Sequence, residues 1–282
     1  MTSPLINAER LNDMILSKLP VVVIDTRSPE DYSKGHIPGA VNIHSIFTFL
    51  ATSTPEGISE LKENFAKTFG DAGISGEETV VLYEDSMDTG FGQSCRGYFL
   101  LKYLGYESVY ILHGGYQAWV SGVYPVSLET PEPEQKTFPI KDTGEAYMID
   151  KEAVLNALDS DIKLLDVRDV DEWIAESSSP YGKDFCPRKG RLPGSVWIEW
   201  YRMMKPGETA LFKSPDEILA ECQSVGIDQD SEVYLYCFKG ARASNTYVAL
   251  KSAGIDNVKL YFGSWNEWSR NEALPIETGR PF

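Results

Sequence analysis

Residues 21–42 read VVVIDTRSPEDYSKGHIPGAVN and contain the pattern from which the fold class is predicted. The first four residues are apolar and β-branched, which predicts a short buried strand. The acidic segment SPEDY then predicts the start of a helix, and the turn GHIPG leads back to a second short apolar run. Apolar strands that alternate with helices in this way are typical of a buried parallel sheet covered by helices. The stretch therefore predicts an α/β fold.

The same pattern occurs a second time in the chain. Residues 163–173 read KLLDVRDVDEW, and after an insertion the turn GRLPG follows at 190–194. Further along each copy, residues 80–119 and 233–268 share the order strand, loop, helix, glycine, strand, turn and helix. The period of roughly 150 residues is far too long for a solenoid repeat, so the sequence predicts a duplicated domain.

The duplication also suggests the domain boundaries. We predict an N-terminal domain at 1–124, a linker at 125–145 and a C-terminal domain at 146–282. The linker is rich in Pro, Glu and Thr and lacks apolar periodicity, as a semi-extended connection does. With 282 residues, the chain is long enough for two domains that each bury a core. Each domain is expected to hold a mainly parallel sheet flanked by helices.

The overall charge and the N-terminus limit the function classes. The formal net charge of −16 disfavours binding to nucleic acids or to anionic membranes, because both need a basic surface. Residues 1–20 lack the basic and apolar regions of a signal peptide, and no apolar stretch is long enough to span a membrane. We therefore expect a cytoplasmic protein with no nucleic-acid or membrane partner.

One cysteine stands out from the others. The cysteines are Cys95, Cys186, Cys222 and Cys237. They show no CxxC or CxH spacing, so neither a disulfide framework nor a zinc site is indicated, and free thiols are expected. An isolated cysteine is most often a small buried hydrophobic residue, which we expect for the first three. Cys237 differs because it follows the apolar run VYLY at the carboxyl end of a predicted strand, where ligands of such sheets collect.

The loop after Cys237 has the composition of an anion site. A helix is predicted from Arg242 to near Gly254, so the thiol faces a helix N-terminus, where unpaired N–H groups and the helix dipole attract anions. Gly240 allows the loop to curl, and Lys239 and Arg242 add two cations close to the sulfur. These surroundings favour the thiolate, which is the nucleophilic form of cysteine.

The histidines argue against a general-base mechanism. They are His36, His44 and His113, and all lie in the N-terminal half of the chain. A thiol protease or acyltransferase needs a histidine beside its cysteine. We therefore expect hydrogen bonds and cations alone to activate Cys237, for attack on an anionic substrate.

Several motifs together carry a resemblance to a known family. They are CFKGAR (237–242), Asp-x-Arg at two strand ends (25–27 and 166–168), GHIPGA (35–40), and the tryptophan turns HGGYQAW and FGSWNEW. With them the chain resembles, over nearly its whole length, the tandem two-domain rhodanese family of thiosulfate and 3-mercaptopyruvate sulfurtransferases. The resemblance implies two tandem rhodanese-like domains, a persulfide on Cys237 and no cofactor or metal. It also implies an inactive first domain, because Glu84 stands where the second copy has Cys237.

The resemblance further implies which residues bind the substrate. They are Lys239, Gly240, Arg242, Arg168 and Arg191. Arg168 lies beside the active loop in family members, whereas the aspartates of the two Asp-x-Arg motifs are expected to tie loops together. Arg191 stands where the first copy has His36, which is a departure from the usual histidine. Two interpretations of it stay open, a cation at the rim of the pocket and a tolerated change at the surface.

More than one function fits these residues. The leading one is transfer of a sulfane sulfur from thiosulfate, a small anionic donor, to cyanide or a thiol acceptor. One alternative is a 3-mercaptopyruvate sulfurtransferase, although the active loop of such family members tends toward small neutral residues. Another is a sulfur carrier that turns over only with a partner protein. A phosphatase or arsenate reductase of the related fold needs one more residue between its cysteine and its arginine than CFKGAR provides.

Overall fold

The computed structural model describes residues 3–141, 143 and 146–281, and its contacts divide the chain into two compact units. The first unit comprises the described residues within Met1–Phe49, Ser59–Gly144 and Met204–Phe212. The second comprises those within Leu50–Ile58, Glu145–Met203 and Lys213–Phe282. Each unit thus includes a short segment from the other half of the sequence. The continuous domain boundaries suggested by the sequence stay a prediction.

The first unit is built on a five-stranded parallel sheet. Its strands are β1 (Leu5–Ile6), β2 (Val21–Asp25), β3 (Val41–Asn42), β4 (Thr79–Tyr83) and β5 (Val109–Leu112). The strand order is β1-β5-β4-β2-β3, and each neighbouring pair is parallel. The central strand β4 is buried from Val80 to Tyr83, which explains its continuous apolar run, because helices cover both faces of such a sheet.

Helices connect the strands of the first half of the chain. They are α1 (Ala8–Leu16), α2 (Pro29–Lys34), α3 (Ser45–Thr48), α4 (Pro55–Asp71), α5 (Gln93–Tyr103) and α6 (Gly115–Ser121). Helix α2 begins where the sequence predicts it, because the side chain of Ser28 accepts a hydrogen bond from Asp31 N–H and Pro29 takes the first helical position.

The second unit repeats the strand order of the first. The strands of the second half are β6 (Met148–Ile149), β7 (Lys163–Asp166), β8 (Val196–Trp197), β9 (Met204–Lys205), β10 (Leu211–Phe212), β11 (Val233–Tyr236) and β12 (Val258–Tyr261). Five of them form a parallel sheet in the order β6-β12-β11-β7-β8. Strands β9 and β10 form an antiparallel pair that belongs to the first unit.

The helices of the second half complete the α/β architecture. They are α7 (Lys151–Ala157), α8 (Val170–Trp173), a 3-10 helix (Trp200–Met203), α9 (Pro215–Gln223), α10 (Ala241–Ser252) and α11 (Ser264–Trp268). Trp265 and Trp268 of α11 are fully buried in a core that they share with Tyr236 and Tyr261. The predicted fold class, two α/β domains that each hold a mainly parallel sheet with flanking helices, is confirmed. Among the described residues, none of the helices has the length and apolar character to cross a membrane.

Candidate active site

Cys237 lies in a four-residue loop at the carboxyl end of the central strand of the second sheet. Strand β11 ends at Tyr236, and α10 begins at Ala241. Gly240 immediately precedes the helix with a φ of 90°, and a Cβ there would lie 3.0 Å from the ring of Phe262. The close turn into α10 therefore requires glycine, both for its left-handed backbone and for its lack of a side chain.

The sulfur of Cys237 receives a hydrogen bond from the start of α10. Gly240 N–H donates to Cys237 Sγ at 3.1 Å, and the cysteine is 1% exposed. The twelve-residue helix α10 directs its first unpaired N–H groups and the positive end of its dipole toward this loop. Both effects favour negative charge on sulfur. The structure thus brings Cys237 and Gly240 together as the sequence predicts.

The backbone of the loop is bound to the start of α11. Cys237 O accepts a hydrogen bond from Trp265 N–H at 3.0 Å, and Phe238 O accepts one from Asn266 N–H at 2.9 Å. Ser264 Oγ accepts from Cys237 N–H at 3.2 Å and donates to Tyr261 O at 2.8 Å. These bonds fix the direction in which the loop carries the sulfur.

Ser264 is a site residue that the sequence analysis missed. Its φ of 53° lies in the left-handed region, which is uncommon for a residue other than glycine. The first copy has Gly115 at the equivalent position, with a φ of 63°. The replacement of glycine by serine in the turn FGSWNEW was therefore the signal that could have identified it.

Arg242 is buried at the start of α10 and is paired with carboxylates. Its guanidinium donates to both oxygens of Glu172, at 2.6 and 3.1 Å, and lies 3.1 Å from Asp169 Oδ1. Burial by itself would lower the pKa of Arg242, but Glu172, together with the nearby Cys237 and Asp169, raises it overall. Arg242 thus stays charged close to the sulfur, although part of its charge is balanced by Glu172.

Lys239 lies on the active loop with an aromatic neighbour. It is 8% exposed, and its Nζ lies 5.0 Å from the centroid of the Tyr181 ring. This geometry corresponds to a cation–π contact. Lys239 is predicted from its place in the active loop, but Tyr181 is not, because Tyr181 belongs to the inserted segment, which has no counterpart in the first copy.

Arg168 forms a buried ion pair with Asp166 and binds the turn that begins at Gly190. Its Nη2 lies 2.6 Å from Asp166 Oδ2 and donates to Gly190 O at 2.8 Å. Asp166 Oδ2 also accepts a hydrogen bond from the Tyr236 hydroxyl at 2.6 Å, so the aspartate ties loops together as predicted. Arg168 Nη1 is buried without a hydrogen-bond partner among the described residues. The assignment of Arg168 to substrate binding stays a prediction.

Arg191 is buried, so the interpretation as a change at the surface is wrong. It is 2% exposed, and it donates to Trp173 O and Gly279 O at 3.2 and 2.7 Å. His36 makes equivalent bonds in the first copy, where its ring nitrogens lie 2.9 Å from Tyr32 O and 3.0 Å from Glu129 O. Both side chains therefore fasten the same turn to a later segment. A direct role of Arg191 in substrate binding stays a prediction.

One group of carboxylates in the described part of the chain has the spacing of metal ligands. Asp169, Asp171 and Glu172 place their oxygens within 4.8 Å of one another. Two of these three side chains already face the Arg242 guanidinium. Because Arg242 supplies their positive charge, we assign the group to the ion pair beside the active loop.

Glu84 takes the equivalent position in the first unit. It follows Tyr83 at the end of β4, and its carboxylate accepts hydrogen bonds from Gln93 N–H at 2.7 Å and Ser94 Oγ at 3.0 Å at the start of α5. Burial raises the pKa of Glu84 to about 8, against these hydrogen bonds, which lower it. The helix N-terminus that faces a thiol in the second unit thus faces a carboxyl group of the chain itself in the first.

Cys95, Cys186 and Cys222 are buried thiols that take part in no disulfide. Burial raises the pKa of the Cys186 thiol, and it raises that of Cys222 to about 12, so both favour the neutral form. Cys95 lies within α5, and its counterpart in α10 is Ala243, because both are the third residue of their helix. The loop that follows the central strand also differs in length between the two copies. Eight positions separate Glu84 from Gly92, whereas three separate Cys237 from Gly240, so the loop of the first copy is longer by five residues.

Comparison with known protein families gives two matches to one domain. The family model described as Rhodanese-like domain matches residues 7–122 and 150–271. The matches fall on the two sequence copies, and each contains one of the equivalent residues Glu84 and Cys237.

Curated relatives are similar over most of their length. The sulfur carrier protein TtuD of Thermus thermophilus is 33% identical over 255 residues, which are 88% of this chain and 87% of that protein. A thiosulfate sulfurtransferase of Azotobacter vinelandii is 29% identical over 263 residues, 93% of each chain.

Solved structures share the fold over nearly the whole chain. A tyrosine variant of EanB, with a cysteine persulfide in a tetrahedral intermediate state with ergothioneine, superimposes with a TM-score of 0.84 at 26% identity. The alignment covers 99% of this chain and 71% of that chain.

Proposed function

Because the chain belongs to the rhodanese family and carries its domain twice, we propose that it is a thiosulfate sulfurtransferase. Cys237 takes a sulfane sulfur from thiosulfate, holds it as a persulfide and passes it to cyanide or to a thiol. The proposal depends above all on the hydrogen bond from Gly240 N–H to Cys237 Sγ, 3.1 Å long, at the N-terminus of α10. This arrangement favours a thiolate without a histidine base.

The first half-reaction loads the cysteine. The Cys237 thiolate attacks the outer sulfur of thiosulfate, a new S–S bond forms, and the original S–S bond breaks so that sulfite leaves with the bonding electron pair. In the second half-reaction cyanide attacks the outer sulfur of the persulfide. Thiocyanate leaves, and the electron pair returns to the sulfur of Cys237. Both nucleophiles are anions, so neither step needs a general base.

The substrate anion is bound by the loop that carries the sulfur. Lys239 and Arg242 flank Gly240, and both lie beside the end of α10 that favours negative charge. The buried guanidinium of Arg168 donates to Gly190 O in the turn at 190–194. Arg191 lies in the same turn, and its buried guanidinium donates to Gly279 O, so both side chains hold the turn in place. In this proposal they contribute mainly by shaping the wall of the site.

The first unit has a supporting role in the proposal. Glu84 replaces the nucleophile, and a carboxylate cannot carry a sulfane sulfur. Its carboxyl group also accepts from Gln93 N–H and from the Ser94 hydroxyl at the start of α5, donors that would otherwise face an anion. The first unit is therefore a scaffold and does not transfer sulfur.

A sulfur carrier is the second candidate function. The observation that favours it is the similarity to TtuD, which is named a sulfur carrier protein. A carrier would accept one sulfur on Cys237 but would not turn over repeatedly with a small acceptor such as cyanide.

Mass spectrometry of the intact protein, combined with steady-state kinetics, tests the proposal. Incubation with thiosulfate should add the mass of one sulfur atom, and cyanide should remove it while thiocyanate accumulates over many turnovers. Loading without repeated turnover would identify a carrier. A higher kcat/KM for 3-mercaptopyruvate than for thiosulfate would show that the proposed donor is wrong.

A further inference from the structure

The second copy contains a segment that the first copy lacks. In the first copy α2 ends at Lys34, and Gly35, whose carbonyl binds Arg27, follows directly. In the second copy α8 ends at Trp173, but the glycine whose carbonyl binds Arg168 is Gly190. Gly35 comes 8 positions after Arg27, whereas Gly190 comes 22 positions after Arg168, so 14 residues, 176–189, belong only to the copy that has the cysteine and are called the insert below.

The insert is firmly attached to the helix that supports the active loop. The guanidinium of Arg188 donates to four backbone carbonyls at and after the end of α11. These are the carbonyls of Trp268, Ser269, Asn271 and Leu274. In return, Trp265 Nε1 donates to Arg188 O at 3.1 Å. Because the N–H groups of Trp265 and Asn266 hold the carbonyls of the active loop, α11 connects the insert to that loop.

The insert also contacts the active loop directly through aromatic rings. Tyr181 and Phe185 pack edge-on against Phe238, with ring centroids 5.2 and 5.9 Å away. Tyr181 and Phe185 are 49% and 50% exposed, whereas Phe238 is 2% exposed. The insert thus covers the residue that directly follows Cys237.

Tyr181 makes a second contact, with the cation of the loop. Lys239 Nζ lies 5.0 Å from the centroid of its ring. The face of an aromatic ring attracts an ammonium group through its quadrupole, and this attraction is stronger where water is excluded, as around Lys239, which is 8% exposed. The ring is neutral, so it can hold the ammonium in place without cancelling its charge.

We infer that Tyr181 is a positioning residue that selects the sulfur donor by holding Lys239 at the active loop. The inference rests on the proposed function, because it assumes that Lys239 binds the donor anion. Thiosulfate has two negative charges close to its transferable sulfur, so it needs a cation that is fixed near Cys237. The single carboxylate of 3-mercaptopyruvate lies farther from its sulfur and depends less on that cation. The insert therefore adds donor selectivity to the copy that carries out the chemistry.

Variants at position 181 test the inference through kcat/KM for both donors. Tyr181→Phe keeps the face of the ring and should retain the ratio of the two donors to within about twofold. Tyr181→Leu should lower kcat/KM for thiosulfate roughly 10- to 30-fold, and for 3-mercaptopyruvate less than about threefold. Phe185→Leu is the matched control, because it removes a ring that packs on Phe238 and should affect both donors alike.

A double-mutant cycle separates positioning of the cation from general packing. In a Lys239→Gln background, Tyr181→Leu should have little further effect on the use of thiosulfate, because the ring has lost its cation. Fluorinated phenylalanines at position 181 weaken the quadrupole with little change in shape, so kcat/KM for thiosulfate should fall stepwise with fluorination. This series gives an answer even where Tyr181→Leu does not fold.

Two results would overturn the inference. One is additive effects of Tyr181→Leu and Lys239→Gln, and the other is an equal loss for both donors in Tyr181→Leu. The proposed function itself is tested separately, by which donor the parent protein prefers. If the parent prefers 3-mercaptopyruvate, the coupling between Tyr181 and Lys239 still decides whether the ring positions the cation.

Discussion

Glu84 occupies in the first unit the place that Cys237 occupies in the second. Each residue follows the tyrosine that ends the central strand, and each side chain accepts a backbone N–H at the start of the next helix, from Gln93 and from Gly240. A helix N-terminus at the carboxyl end of a parallel strand attracts negative charge. The first unit fills this position with its own carboxyl group, whereas the second keeps a sulfur there that can react.

Cys237→Ser should abolish both persulfide formation and turnover with cyanide. A serine hydroxyl cannot take up a sulfane sulfur, although it fits the same loop. Cys186→Ser is the matched control, because Cys186 is equally buried but has a raised thiol pKa and should not be loaded. Intact mass after incubation with thiosulfate measures both variants. Sulfur added to the Cys237→Ser protein would contradict the assignment of the nucleophile.

Glu84→Gln should change how stability depends on pH. The pKa of Glu84 is about 8 in the folded protein, above its ordinary value of 4.5, so the folded state holds a proton that the unfolded chain has released. As pH rises from about 4.5 to about 8, this group therefore lowers the free energy of unfolding progressively. Below this range it has no effect, because both states are protonated.

The glutamine variant should lack that part of the pH dependence. Its amide can accept from Gln93 N–H and donate to Ser94 Oγ, so the local hydrogen bonds are retained. We expect Glu84→Gln to be more stable than the parent near pH 9 and close to it near pH 5, as measured by denaturant unfolding. Equal slopes in the two proteins would contradict the raised pKa.

The parts of the site that the sequence predicts are those that are local in the chain. Cys237, Lys239, Gly240 and Arg242 lie within six consecutive residues, and the change from strand to helix is visible in the apolar pattern. The partner of Arg242 could not be predicted in the same way. Glu172 is 70 positions away, and in the sequence it is one of several acidic residues at a helix start.

The basic run CPRKGR, residues 186–191, has roles that the sequence alone does not reveal. It resembles a solvated loop, yet Arg188 and Arg191 both bind backbone carbonyls. Every residue has a carbonyl, so a guanidinium held by carbonyls leaves no partner pattern in the sequence. The same holds for Tyr181, whose contact with Lys239 depends on how the insert folds and not on any periodic spacing.

Arg242→Thr should lower both activity and stability. Loss of a cation at a largely desolvated site should reduce kcat/KM for thiosulfate roughly 10- to 100-fold. The substitution also leaves the buried carboxylate of Glu172 without its partner, which should cost about 3–5 kcal/mol of unfolding free energy. Thermal and denaturant unfolding, measured beside kinetics, separate the two effects.

A second substitution distinguishes the two roles of Arg242. Adding Glu172→Gln to Arg242→Thr removes the unpaired buried charge, so most of the lost stability should return while kcat/KM for thiosulfate stays low. Recovery of activity together with stability would mean that Arg242 acts only by neutralising Glu172. In that case it would not belong to the anion site.

Ser53→Ala should lower the unfolding free energy of the second unit, although Ser53 lies in the first half of the sequence. Residues 50–58 belong to the second unit, where Ser53 N–H and Oγ donate to Glu267 Oε1 at 2.9 and 3.0 Å. Glu267 lies in α11, whose first N–H groups hold the loop of Cys237. Loss of a hydrogen bond to a carboxylate should cost about 1.5–3 kcal/mol of unfolding free energy.

The control for this prediction is Ser59→Ala, which removes an exposed serine bond to Glu63 Oε1 on α4 and should have little effect on stability. A fragment that begins near residue 146 lacks Ser53 altogether, so it should be less stable than the whole chain and less active toward thiosulfate. Denaturant unfolding and kcat/KM measure both. If Ser53→Ala behaves like Ser59→Ala and the fragment keeps full activity, residues 50–58 do not support the active loop, and the second half of the chain is sufficient for catalysis.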